Sequence, residues 1–466
     1  MSPTSITVVG GGLAGITAAL DCAQTGATVT LLESRGRLGG AAYSFMRNGI
    51  QVDNGQHVFL RCCTAYLELL ERLEASDLVT LQPRLEIPVL APGGRTAVLR
   101  RSSLPAPLHL AGALLSYPFL TVSERISVAR AMQRLRAVDP DDPAADARSF
   151  GDWLREHGQG PAAVETIWSL IARPTLNLEP DGASLAQAAQ VFQLGLLAGR
   201  SAGDVGYARV PLSAIHDEAA RRALQNANVA VRLRRGVTMI QPTGGKFRIE
   251  INAAPTIESD LVILAVPPDR AARLLPANAG VDARTSATLG HSPIVNLHIV
   301  FDRQVLDAPF VAGVHTPVQW LFDRTAGARL SEGQYLAVSL SAADEDLNVS
   351  ADELRTKYLP ALRELLPAAR DAGVEDFFVT REHAATFRAA PGARAWRPAA
   401  RTRIPGLLLA GCWTDTGWPA TMESAVRSGR AAAAEAMANL GAAPARHPLT
   451  AGARAPREPE LAGGRP

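Results

Sequence analysis

Short runs of β-branched and aliphatic residues, punctuated by glycine and proline, set the pattern of this chain from its start. SITVV at residues 5–9 reads as a buried strand, and GGGLAG beside it as a turn. An alanine-rich stretch from Ile16 to Gln24 reads as a helix stopped by Gly26, and TVTLL at 28–32 as a second strand ending at Glu33. That is one βαβ unit in about thirty residues. Apolar runs around Pro92-Gly93-Gly94 predict a hairpin over 85–99. Helical periodicity dominates 107–199, with Ser123, Asp146 and Ser184 as expected caps. Strands at 229–233, 247–251 and 260–266 (DLVILAV, stopped by Pro267-Pro268) read as a second piece of the same βαβ-type fold. Longer strands are expected at 294–301 (IVNLHIVF) and 335–340, then a buried strand at 407–410 and a helix over 420–440. Residues 441–466, rich in Ala, Pro, Gly and charge without periodicity, read as a disordered tail.

At 466 residues the chain exceeds one small core, so about two or three structural units are expected. Lys+Arg of 47 against Asp+Glu of 45 leaves no basic footprint for nucleic acid. Nearly all of that basic charge is arginine, since lysine occurs only at Lys246 and Lys357. Cys22, Cys62, Cys63 and Cys412 form no C-x-x-C pair, which fits a reduced, cytoplasmic compartment. No metal site is expected. The first strand begins without a basic leader, so no signal peptide is expected. LHLAGALLSYPFL at 108–120 is broken by Pro118 and too short for the roughly 18 residues of a bilayer span. It reads as buried or interfacial.

Gly10, Gly12 and Gly15 fit G-x-G-x-x-G at the first strand-to-helix turn. The first glycine permits the turn, the second lets the backbone approach a pyrophosphate, and the third lets helix pack on strand. The phosphates then rest on the helix N-terminus, and Glu33 is placed to hold ribose hydroxyls. The residues just past Glu33 decide between dinucleotides. Arg35, Arg37, Gly39 and Gly40 put arginines and a second glycine pair beside the first turn, an approach that extended FAD needs and a nicotinamide dinucleotide does not. The loop from Gly411 to Pro419, between a buried strand and a helix opened by Pro419, supplies a third contact. Its helix N-terminus would stabilise negative charge near N1 and C2=O of a reduced flavin.

These motifs, with DNGQHVF at 53–59, QWLFDR at 319–324, REHAATF at 381–387 and WPATMESAVRSG at 418–429, resemble the amine oxidase and phytoene desaturase flavoproteins. More narrowly, they resemble the hydroxysqualene dehydroxylases, the squalene-associated FAD-dependent desaturases of bacterial hopanoid pathways. The resemblance runs from residue 5 to about 440. It implies an α/β fold in which a discontinuous Rossmann-type FAD-binding domain of the GR2-like kind (1–75, 205–270 and 395–440) carries an α+β substrate domain (76–204 and 271–394). The implied FAD contacts are Gly10, Gly12, Gly15, Glu33, Arg35, Gly39, Gly40, Gly55, Gln56, Val237, Gly411, Cys412, Thr421 and Met422. Two positions depart from the superfamily pattern. Ala41 stands where an arginine is usual after the second glycine pair, and Cys412 where an acid is usual after Ala-Gly, which predicts weaker FAD retention.

The amine oxidases of this superfamily carry a lysine on a long substrate-domain strand. Asn296 falls at that place, which disfavours amine oxidation. The resemblance implies instead a long isoprenoid alcohol, hydroxysqualene, dehydroxylated reductively to squalene. Apolar residues over 104–120 and 191–197 suit such a substrate. The reaction asks for hydride from reduced flavin, a proton donor at the hydroxyl and a dry cavity. Donor candidates are Asp53, His57, Asp415 and Glu423, with His57 first and Asp415 second. A carotenoid-type desaturase using the flavin oxidatively is the alternative, and a flavin-bearing isoprenoid carrier without turnover a further one. The electron donor is external and unidentified. An insoluble substrate also implies a peripheral contact with the inner membrane face, through residues 104–120.

Overall fold

The computed structural model describes residues 3–439, so the tail read at 441–466 lies outside the described residues. Strands Ser5–Val9 and Thr28–Leu32 pair in parallel with Val9 opposite Leu32, and helix Leu13–Ala23 crosses between them. Strand Leu261–Leu264 lies on the other side of the first strand, and Leu407–Leu409 beyond it. Ala230–Arg232 pairs with Thr28–Leu32 at the opposite edge, completing a five-stranded parallel sheet. Its central strands are buried on both faces, which is why they read as unbroken apolar runs rather than alternating ones. The first and the last strands of the chain are thereby only one strand apart, and the loops at their C-terminal ends meet.

The run at 247–251 does not join this sheet. It belongs to a separate antiparallel sheet of Val237–Thr243, Lys246–Ile251 and Ala254–Ser259. Its alternating burial, with Phe247, Ile249 and Ile251 inside and Lys246 and Arg248 outside, marks a one-sided strand. A seven-stranded mixed sheet forms the second large layer, in which Ser292–Phe301 lies between Val374–Thr386 and Gln334–Ser341. The hairpin Glu86–Ala91/Arg95–Arg100, turning at Pro92–Gly94 as expected, closes its far edge.

Helices fill 108–197, and their caps differ in part from expectation. Ser184 does cap Leu185–Phe192 by accepting from the Gln187 amide. Helix Val122–Leu135 is capped by Thr121, which forms a capping box with Glu124 and leaves Ser123 inside the first turn. Asp142 caps Pro143–Asp146, while Asp146 accepts from Ser184 Oγ at 2.7 Å and from the Arg394 amide at 3.1 Å. The last helix begins at Met422 rather than at Pro419, with Thr421 Oγ1 accepting from the Ser424 amide. Both overturned caps lie within two or four residues of the true one, where several oxygen-bearing side chains compete.

Candidate active site

The C-terminal ends of the parallel strands open onto one cavity of about 1410 Å³. That exceeds the roughly 300–1,000 Å³ of a site for one small molecule, so there is room for a dinucleotide and a second long ligand. Gly10, Gly12, Glu33, Arg35, Gly39, Gly40, Gly55, Gln56, Val237, Gly411, Cys412, Thr421 and Met422 all contribute to its wall. Gly15 does not, because it works behind the wall. A Cβ there would come within 1.9 Å of the Gly10 carbonyl oxygen, so only glycine lets helix Leu13–Ala23 sit this close to the turn.

The two glycine-rich turns face each other. The Gly39 amide donates to the Gly11 carbonyl at 2.9 Å, and a Cβ on Gly40 would meet Gly12 Cα at 2.8 Å. Gly12 caps helix Leu13–Ala23 without a side-chain acceptor, and no acid occupies its first turn, so the first amides remain free for an anion. Glu33 is almost wholly buried, accepting from the Gly11 amide at 2.7 Å and, through its other oxygen, from the Arg35 amide at 2.7 Å and Ser34 Oγ at 3.1 Å. A carboxylate has about four acceptor positions, so one is left over on the cavity side. The start of helix Met422–Asn439, which packs against helix Leu13–Ala23 through Gly429 and Ala14, also reaches the wall. A bare cradle at one helix N-terminus, a buried acceptor and a second helix N-terminus on the same wall fit an extended FAD.

The four expected donors fare differently. Asp53 is buried and committed, since it accepts from Arg324 Nη2 at 2.7 Å, the Leu212 amide at 2.9 Å and Ser44 Oγ at 2.6 Å. Glu423 accepts from the Ala65 and Tyr66 amides and pairs with Arg427, capping helix Thr64–Arg72 from a distance. Asp415 must be withdrawn as a donor. It is exposed, lies outside the cavity wall, and faces Arg394 at 3.7 Å, because the loop turns it outward while its own amide bonds the Pro398 carbonyl. His57 does reach the cavity, but burial pushes its imidazole below the usual value, with Asp53 opposing and Arg324 adding to that effect. It is held neutral near pH 7.

Asn296 lies on strand Ser292–Phe301, wholly buried in the cavity wall. Both lysines are elsewhere, Lys246 paired with Asp260 at 3.2 Å and Lys357 with Asp346 at 2.7 Å. Beyond this point the wall turns apolar, with Ile167, Leu170, Leu194, Phe310 and Trp320 among its residues, and runs toward Leu108 and Leu115. Those two are exposed, as are Val122 and Ile126 on the same wall, and the four form an apolar rim. Tyr117, Phe119 and Leu120 of the same segment are buried instead. No helix among the described residues is long and apolar enough to cross a membrane. No group of metal-ligating side chains occurs among them either.

Parallel strands ending in a glycine turn, with a second, mixed sheet lining the same cavity, define a flavin-dependent oxidoreductase. Residues 13–437 match the flavin-containing amine oxidoreductases, and the chain belongs to that family, with FAD as its cofactor. Hydroxysqualene dehydroxylases of Rhodopseudomonas palustris and Sinorhizobium fredii are 27% and 28% identical to it, across 93% and 92% of this chain and 98% of each relative. A probable zeta-carotene desaturase of Synechococcus elongatus is 25% identical, over 92% of this chain and 97% of its own. Among solved structures, a redesigned putrescine oxidase superposes with a TM-score of 0.69 at 20% identity, covering 94% of this chain and all of its own. An oxidoreductase from Methanosarcina mazei gives 0.71 at 17%, covering 91% of this chain and 99% of its own. These structures share the fold.

Proposed function

We propose that the protein reduces an allylic isoprenoid alcohol of the hydroxysqualene type to the hydrocarbon, with loss of water. The observation that carries this reading is one cavity joining the glycine cradle to an apolar rim about the exposed Leu108 and Leu115, with Asn296 where an amine oxidase would need lysine. The full-length similarity to two hydroxysqualene dehydroxylases supports the same substrate class.

In this reading Gly10, Gly12, Gly39 and Gly40 bring backbone close to the pyrophosphate, Glu33 takes the ribose, and Arg35 adds positive charge. Gly55, Gln56, Val237, Gly411 and Cys412 border the flavin, and Thr421 and Met422 place a helix N-terminus toward it. FAD, once reduced, supplies the hydride. The protein's part is to hold the alcohol carbon beside it, exclude water from an allylic cation, and deliver a proton to the departing oxygen. The rim of Leu108, Leu115, Val122 and Ile126 admits the substrate from the cytoplasmic face of the membrane. Desaturation is the second reading, favoured by the match to zeta-carotene desaturases over the same span.

Electron flow separates the two. Anaerobically, photoreduced holoprotein should be reoxidised by hydroxysqualene, while the oxidised form should stay yellow with squalene or a carotene. Bleaching of the oxidised flavin by the hydrocarbon would replace dehydroxylation with desaturation.

A further inference from the structure

One buried polar cluster in the cavity wall adjoins Gly55 and His57 but is made of residues that are neither expected FAD contacts nor expected proton donors. Asn54 sits at its centre and is itself buried. Its carbonyl accepts from Asn296 Nδ2 at 3.2 Å and from Thr380 Oγ1 at 3.2 Å. Its side-chain amide donates to Glu382 Oε1 at 2.9 Å, and Tyr43 O–H donates to the same oxygen at 3.4 Å. Burial and then Glu382 push the Tyr43 phenol up, so it keeps its proton and serves as a donor. Oxygen Oε2 of Glu382 is left for the cavity, which Glu382 lines.

The sheet explains why these groups meet. Asn296 pairs with Thr380 and Ile294 with Glu382, so Asn296 and Glu382 are diagonal neighbours on one face, roughly 7–8 Å apart. Both line the cavity. Asn296 Oδ1 is the independent sign of a ligand, for it is a wholly buried acceptor without a hydrogen-bond partner. Leaving such a group unpaired costs about 1–3 kcal/mol, which a visiting O–H would recover. A Cβ on Gly55 would lie 3.5 Å from Asn296 Nδ2 and 3.8 Å from His57 Nε2, so nothing bulkier than hydrogen separates this pair from the wall where His57 stands.

The geometry points to Asn296 and Glu382 as the pair that handles the substrate hydroxyl: Asn296 Oδ1 accepts its O–H, and Glu382 protonates its oxygen. This rests on the dehydroxylation reading. The C–O bond breaks with its electron pair on oxygen, and a proton passed from solvent by way of Glu382 completes a water molecule, while reduced flavin would supply the hydride for the new C–H bond. The alcohol, one hydride and one proton thus become hydrocarbon and water, with Asn54 and Tyr43 holding the Glu382 side chain in place.

The test uses holoprotein and two ligands differing only in the hydroxyl, hydroxysqualene and squalene. Binding to the oxidised form is read from flavin absorbance changes, and single-turnover reoxidation from the reduced form. Wild type should prefer the alcohol by about tenfold, the size of one or two hydrogen bonds, and Asn296→Leu should lose that preference with its flavin spectrum intact. Glu382→Gln should bind the alcohol normally but reoxidise roughly 10²–10⁴-fold more slowly, with Glu382→Asp recovering part of the rate. An undiminished preference in Asn296→Leu, or a full rate in Glu382→Gln, overturns the pair while dehydroxylation stands. A wild type that neither binds nor reduces the alcohol overturns the functional reading itself.

Discussion

Replacing Glu33 with alanine separates what that carboxylate does for the protein from what it does for FAD. In the folded chain it accepts two backbone amides at 2.7 Å each, Gly11 from the phosphate turn and Arg35 from the loop after the second strand. Hydrogen bonds to a charged group contribute about 1.5–3 kcal/mol each. Arg35 is exposed, so water can replace its partner, whereas Gly11 is buried and cannot find another. The apoprotein should therefore lose about 2–3 kcal/mol, which for a chain of this size is a fall of a few degrees in Tm. Loss of the ribose contact should weaken FAD binding by a further factor of roughly 10–100, equal to one such bond. Glu33→Gln retains one acceptor oxygen and should fall between. Denaturant melts of the apoprotein and titration of FAD fluorescence measure the two parts separately. FAD binding in Glu33→Ala within threefold of wild type would refute the ribose assignment.

Cys412→Asp restores a carboxylate where the superfamily has one, beside the buried Arg397 that donates to the Cys412 carbonyl at 3.1 Å. FAD retention should improve by about 1–2 kcal/mol, and unchanged or weaker retention on gel filtration would reject it. Burial holds His57, His216 and His298 below the ordinary imidazole value, the last two at about 3. The unfolded chain binds these protons first on acidification, so stability is complete above a pH of about 6.5 and declines from there toward 3. Tm should track that course, with a shallower decline in His298→Gln, and a Tm flat across the range would contradict it. Leu115→Asp combined with Val122→Asp should reduce flotation with anionic liposomes, because both side chains stand on the exposed rim. Phe119 is unsuitable for that test, since it is buried against Tyr117 with ring centroids 5.2 Å apart. Equal flotation of mutant and wild type would remove this entry route.

Much of the cofactor half is legible in the sequence because its requirements are local. A glycine turn, Glu33 about twenty residues later and the apolar runs at 260–266 and 407–410 each carry their meaning within a few residues of chain. The substrate side is not local. Glu382 stands in REHAATF, and its neighbours Asn54 and Asn296 are 328 and 86 residues away, Asn296 brought beside it by sheet register and Asn54 by hydrogen bonds from another sheet's strand end. Asp415 misleads for the complementary reason. Its place in a cavity-bordering loop is visible in the sequence, but the direction of its side chain depends on the Pro398 carbonyl and Arg394, which are remote. The strand at 247–251 pairs in a different sheet from the one its sequence suggests, because apolar alternation identifies a strand without naming its partner.

Deuterium transfer tests the dehydroxylation claim most directly. Holoprotein reduced anaerobically with a deuterated hydride donor, so that flavin N5 carries the label, would be mixed with hydroxysqualene and the products resolved by mass spectrometry. Squalene bearing one deuterium, at the carbon that held the hydroxyl or at its allylic partner, is the expected result. Unlabelled squalene would exclude direct hydride delivery, and recovery of unchanged alcohol beside fully reduced flavin would contradict dehydroxylation altogether.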